Sequence, residues 1–152
     1  MKTKFAIGCL VQWYECDIIE EYVDSLNDAI ELYDGDVIVD FTIVTNEDLE
    51  KCISAEKKSE CKNKIANILT NFGFDNVRYT DDLHTIADYR RLFNADYCDQ
   101  VDVLIWGESD AILPKQMFGI LDNLHQMSLQ NNNPKYLAFF GTCKMWDDTW
   151  RP

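Results

Sequence analysis

The stretch Val101 to Pro114, VDVLIWGESDAILP, constrains the fold of this chain more than any other. Val103, Leu104, Ile105 and Trp106 make an apolar run whose length reads as a buried strand. Gly107 follows, and then two carboxylates, Glu108 and Asp110, one residue apart. Leu113 and Pro114 open a segment with helical spacing, and proline is well tolerated in a helix's first turn. The carboxylates therefore fall just past the C-terminal end of a strand, where open α/β sheets hold their ligands. If the chain is still extended there, residues i and i+2 point the same way and both side chains can reach one cation.

The same strand-then-helix rhythm runs along the whole sequence. Phe5 to Val11, FAIGCLV, is apolar on both faces, as an interior parallel strand is. A polar and aromatic loop, Gln12, Trp13, Tyr14 and Glu15, follows it. Ile18, Ile19, Tyr22, Val23, Leu26, Ala29, Ile30 and Tyr33 then recur at three- and four-residue steps; Asp17 fits an N-cap with Glu20 three residues on, and Gly35 fits a stop. Asp36 to Thr45 is a β-branched second strand ending in the polar cluster Asn46, Glu47 and Asp48. Residues 47–57 carry no clear signal. A second helix is expected from Ser59 through Phe72, closed by Gly73, then a short strand over Asn76 to Tyr79 and a third helix over Leu83 to Phe93. After the carboxylate strand, Met117, Leu121, Leu124 and Ser128 share a helix face, Asn131 to Pro134 break it, and Tyr136 to Phe140 reads as a fifth strand. Such alternation predicts an α/β fold of three layers, α/β/α, around a mostly parallel sheet.

Length and charge narrow the functions open to it. A chain of 152 residues suits a single domain, residues 1–152, burying about 70% of the surface its unfolded form exposes. Its net charge of −13 repels nucleic acid and anionic membranes, and no basic stripe offsets it. The apolar patch after Lys2 and Lys4 is interrupted at Gln12 and reads as the first strand rather than a signal peptide. No run approaches the ~20 apolar residues of a membrane span. The six cysteines form no CxxC pair and the histidines number two, which argues against zinc and for reduced thiols in a cytoplasmic protein. His84 and His125 read as structural. A chain ending on Trp150, Arg151 and Pro152 soon after a fifth strand is either a sheet that closes there or the front part of something longer.

With these residues in view, the chain resembles the GT-A family of nucleotide-sugar glycosyltransferases, the group that includes cellulose and hyaluronan synthases. Val11 to Glu15 stand where that group has a loop like P-x-Y-N-E, and Asp24, Ser25 and Leu26 match the end of its first helix. Glu108 to Pro114 resemble its D-x-D-D-x-x-x-P segment, with glutamate for the first aspartate. The likeness spans about residues 4 to 145. It lacks the loop's proline and asparagine, and Thr45-Asn46 stand where an aspartate pair is usual.

The resemblance implies transfer of a sugar from a nucleotide-diphosphate donor of UDP or GDP type to a carbohydrate or other hydroxyl acceptor. Mn²⁺ or Mg²⁺ on Glu108 and Asp110 would offset the charge of the departing diphosphate, with Asp110 the stronger ligand. It puts Val11, Tyr14 and Glu15 beside the base and ribose, Asn46 at the base edge, Asp81 or Asp82 after the third strand, Ser109 within the metal motif, and Arg90 or Arg91 on the diphosphate. Adjacent helical residues point about 100° apart, so one of the two arginines faces the site. The base that takes the acceptor's proton lies beyond the fifth strand in this family; Asp147 and Asp148 are the carboxylates there, and neither sits in a motif. For each residue a plainer role stands beside this one: Asp110 near a helix N-cap, Trp13 and Tyr14 as core anchors, Asn46 as a turn residue, the arginines as surface partners of Asp88, Asp96 or Asp99. Two other readings remain, a degenerate GT-A-like module that binds a nucleotide or protein without catalysis, and a phospho-acceptor receiver. The receiver wants acidic residues at the end of the first strand, where this chain has Gln12, Trp13 and Tyr14.

Overall fold

A computed structural model describes residues 1–44, 53–80, 85–133 and 135–138. Its elements are β1 (Phe5–Gln12), a 3-10 turn (Trp13–Asp17), α1 (Ile19–Leu32), β2 (Val37–Val44), α2 (Ala55–Asn71), β3 (Val77–Thr80), α3 (Ile86–Tyr97), β4 (Val103–Glu108) and α4 (Met117–Gln130). The four strands form one sheet in the order β3-β2-β1-β4, every pair parallel. The expected α/β architecture with a parallel sheet is present. The strand order adds what periodicity cannot supply: the chain steps from β1 to β2 to β3 in one direction, then returns across the sheet to lay β4 on the other side of β1.

Alternation along β1 divides the core in two. Phe5, Ile7, Cys9 and Val11 face a large apolar cluster supplied by α1, α2 and α4. Ala6, with Leu10 partly buried, faces a smaller cluster built on Tyr89 and Phe93 of α3. A right-handed crossover changes face when the direction of travel along the sheet reverses, which accounts for α3 lying on the face opposite α1 and α2. Gly8 allows α3 to come this close, because a Cβ there would run into the Tyr89 hydroxyl and come within 2.6 Å of Phe93. Gly107 does the same for the opposite face, where a Cβ would collide with the hydroxyl of Tyr22.

Several element ends differ from the sequence expectation. Asp17 does not cap α1: it closes the 3-10 turn, and Ile18 holds the N-cap position without a side-chain bond. The turn is tied to α2 by the Cys16 thiol, which donates to the Cys61 sulfur, and by Lys64, which donates to Asp17 at 2.7 Å; burial and the Cys61 contact push Cys16 up to about 11. The second helix begins at Ala55 rather than Ser59, with the Ser54 hydroxyl accepting from the Lys57 N–H. The third runs on to Tyr97, and Thr85 caps it. Pro114 precedes α4 rather than opening it, its carbonyl accepting from the Met117 N–H at 2.9 Å. Of the fifth strand expected over Tyr136 to Phe140, residues 136–138 carry no regular structure, and Phe139 and Phe140 lie outside the described residues.

Candidate functional site

Reversal of direction makes β1 and β4 neighbours whose following segments diverge, and such a switch point opens a crevice at the carboxyl ends of the strands. Both loops singled out in the sequence emerge there. β1 ends at Gln12 and β4 at Glu108, with Leu10 paired to Glu108.

Glu15 ties the two sides of this rim together. One of its oxygens, Oε2, accepts from the Gln12 N–H at 2.7 Å and from the Ser109 hydroxyl at 2.9 Å. Burial raises the Glu15 carboxyl above its ordinary value; the two hydrogen bonds oppose that shift, and the nearby charges of Asp110 and Glu108 add to it. Ser109 is buried, whereas Glu108 and Asp110 on either side of it are exposed. Downstream, Ser25 accepts from the Leu113 N–H at 3.0 Å and donates to the Tyr22 carbonyl at 2.8 Å, fastening the segment after the carboxylates to α1.

The backbone through the acidic pair is not extended. β4 stops at Glu108, and the Ala111 N–H donates to the Glu108 carbonyl at 3.1 Å, so Ser109 and Asp110 occupy the centre of a turn. The i, i+2 geometry expected of a strand therefore does not apply between Glu108 and Asp110. The helix-capping role for Asp110 falls away too, since Gln116 holds the N-cap of α4.

Glu108 already has a partner. Arg90 Nη2 donates to its Oε1 at 2.7 Å, while the guanidinium lies 4.9 Å from the centre of the Trp106 ring. Arg91 turns the other way, to Asp88 at 2.8 Å, with most of its side chain in solvent. Of the two arginines, Arg90 is the one at the rim. Tyr14 is 46% exposed, its ring set edge-on to Trp13 at 5.8 Å, whereas Trp13 is a core residue at 1%. The Val11 side chain is wholly buried in the large apolar cluster and offers the rim only main chain. Asn46, Asp81, Asp82, His84, Asp147 and Asp148 lie outside the described residues. His125 is buried on α4 beside Tyr136, with Nδ1 3.2 Å from its hydroxyl, a structural placement.

Among the described residues no three His, Cys, Asp or Glu side chains converge as a ready-made metal cage. Glu108 and Asp110 are hard oxygen donors, the type that Mg²⁺ and Mn²⁺ take, and one or two carboxylates completed by phosphate and water suffice for such ions. The donor type suits such a cation, while the turn at Ser109–Asp110 and the Arg90 contact leave the two carboxylates without the shared-face geometry expected from the sequence. Trp106 is the rim residue that sequence reasoning passed over: inside an apolar run it reads as core, yet it is 43% exposed.

Compared with known proteins, the chain matches no family model, no curated protein and no solved structure. The fold by itself defines an α/β protein with an open parallel sheet. The rim at the switch point carries the exposed Glu108 and Asp110, Arg90 on Glu108, and the exposed Tyr14. Among the described residues no helix is long and apolar enough to cross a membrane.

Proposed function

We propose that this chain is the nucleotide-sugar-binding domain of a metal-dependent glycosyltransferase of the GT-A type. The observation that carries the reading is the meeting of the Val11–Glu15 loop and the Glu108–Asp110 turn at the switch point between β1 and β4, joined through Glu15 and Ser109. Motif order along the sequence could arise by chance in an acidic chain; that the same two segments lie side by side at the carboxyl ends of adjacent strands, where open α/β sheets bind ligands, supports the reading.

On this reading Tyr14 stacks on the base of a UDP- or GDP-type donor and Arg90 binds the diphosphate. Glu108 and Asp110 hold Mn²⁺ or Mg²⁺, which when bound supplies positive charge against the departing diphosphate. Glu15 accepts the Ser109 hydroxyl and so holds the carboxylate turn at its distance from the base-binding loop. The acceptor is a carbohydrate or another hydroxyl compound. Free thiols at Cys9, Cys16, Cys61 and Cys98 suit a reducing compartment such as the cytoplasm.

The test is calorimetric titration of UDP and of GDP with and without Mn²⁺, on the wild type and on Asp110→Asn. Metal-dependent nucleotide binding that weakens at least tenfold in the variant is expected, and binding indifferent to both metal and Asp110 sinks the reading. A second reading, a module that binds nucleotide without catalysis, draws on the engagement of Glu108 by Arg90. Hydrolysis of a nucleotide sugar by the wild type, absent in Asp110→Asn, separates the two.

A further inference from the structure

Cys16 lies in the 3-10 turn that follows β1, and Cys61 lies in the second turn of α2, 45 residues further along the chain. Both belong to the large apolar cluster and both are almost wholly buried, at 3% and 4% exposure. The fold sets their side chains against each other, sulfur to sulfur at 2.9 Å, with the Cys16 thiol donating. Both are free cysteines. An S–S bond is about 2.05 Å long, so closing the pair takes about 1 Å of travel, within reach of side-chain rotation. Lys64 and Asp17 meet at 2.7 Å on the solvent side of the same junction, so turn and helix are already held in register.

We propose that Cys16 and Cys61 are a redox modification site, a disulfide that hydrogen peroxide closes and a dithiol reopens, tying the rim turn covalently to α2. The thiolate of one cysteine attacks a peroxide oxygen: the S–O bond forms, the O–O bond breaks, and hydroxide leaves and takes up the proton that the thiol released. The second sulfur then attacks the sulfenic sulfur; the S–S bond forms, the S–O bond breaks, and the oxygen departs as water with the second thiol's proton. Two protein thiols give up two electrons, and the peroxide becomes two waters. Reopening is two steps of thiol–disulfide exchange that leave the dithiol oxidised. Burial holds the Cys16 thiol up, so thiolate is scarce and closure is slow; contact rather than reactivity selects this pair. Tyr14 and Glu15 directly precede Cys16, so the bond fixes the turn that brings both to the rim, whatever the rim binds.

The experiment treats folded protein with millimolar hydrogen peroxide, caps the remaining thiols with iodoacetamide in urea, and digests with trypsin. Residues 5–51 carry Cys16 and residues 59–62 carry Cys61, each as one tryptic peptide. The two peptides are expected to appear linked, lighter by two hydrogens than their reduced sum, with the link lost to dithiothreitol and absent from Cys16→Ala and Cys61→Ala. Cys9 shares the first peptide, so Cys9→Ala should keep the link. The oxidised wild type should melt roughly 5–10 °C above its reduced form, a rise that dithiothreitol reverses, and amide exchange over Trp13–Asp17 should slow. These last comparisons use one polypeptide in two redox states and stand even where a variant folds poorly. If the folded protein keeps both residues as thiols, or if the link forms as readily in urea as in the folded state, the site is overturned and the two cysteines are core residues only. A link that leaves melting and exchange unchanged overturns the tie to the turn.

Discussion

The two faces of the sheet are built on different physics. Under α1, α2 and α4 the contacts are almost wholly apolar: the Phe118 ring lies 5.3 Å from Phe5 and 5.7 Å from Tyr33, and Leu26, Ile43, Ile65 and Leu69 belong to the same buried cluster. Under α3 the apolar part is small and a polar network takes over. Asp40 is fully buried there; it accepts from Arg78 at 2.8 Å and from the Tyr97 hydroxyl at 2.7 Å, and Arg78 also reaches Asp96 at 2.7 Å. The first face holds the fold by removing area from water. The second fixes one helix in one position, through close approach at Gly8 and directional bonds at Asp40, and that helix carries Arg90 to the rim. Apolar burial tolerates small slippage, whereas a charged network has one good arrangement.

The most direct way to break this comparison is on the apolar side. Phe118→Ala removes a fully buried ring from the Phe5–Tyr33 group and should cost about 3–5 kcal/mol of unfolding free energy, read from urea denaturation. A loss under about 1 kcal/mol would mean that the three-helix face is loosely packed and that the division drawn here is wrong.

On the polar side the expected effect is smaller. Arg78→Met keeps an apolar stem but strands the Asp40 charge, at a cost of about 2–3 kcal/mol; a fully enclosed pair would lose ~3–5, but the Arg78 side chain is 41% exposed and water reaches the gap. Adding Asp40→Asn to Arg78→Met should recover part of the loss, because the charge left behind is then gone. Additive losses in the double variant would show that the network does not act as a unit.

Much of the fold was legible because β1 is apolar on both faces and β2 and β4 carry dense apolar runs. The reading of β4 as a buried strand is corrected by its place at the end of the described sheet, where none of its residues is fully buried. Where the reading missed, the signal was local rather than periodic. The opening turns of α2, AEKKSE, present almost no apolar residue, so hydrophobic spacing is silent until Cys61 and only the Ser54 cap marks the true start. α3 extends to Tyr97 because that hydroxyl is spent on Asp40, a bond between residues 57 apart in sequence. Strand order was beyond reach, since periodicity says which residues face a core but not which strand lies beside which. The same gap hid the link between Arg90 and Glu108, which exists only because the chain doubles back across β1. The Ser109–Asp110 turn was likewise invisible to a reading that assumed the strand ran on.

Glu15 offers the finest probe, because it stands where the two halves of the rim meet. Its carboxyl is raised chiefly by burial, so the folded protein holds the proton more tightly than the unfolded chain does. Stability contributed by a raised group is fully present below its unfolded pKa and is lost as the pH climbs through the higher folded value. Both hydrogen bonds land on Oε2, so Glu15→Gln with its carbonyl oxygen in that position keeps them and removes only the titration. The wild type should therefore lose stability relative to Glu15→Gln as the pH is taken from 4 to 7, a gradual slope smaller than either loss above, measured from urea midpoints in the presence of a chelator. A slope of the opposite sign would mean that the hydrogen bonds from Gln12 and Ser109 outweigh burial, and that the rim is organised around a negative charge at Glu15 rather than merely accommodating one.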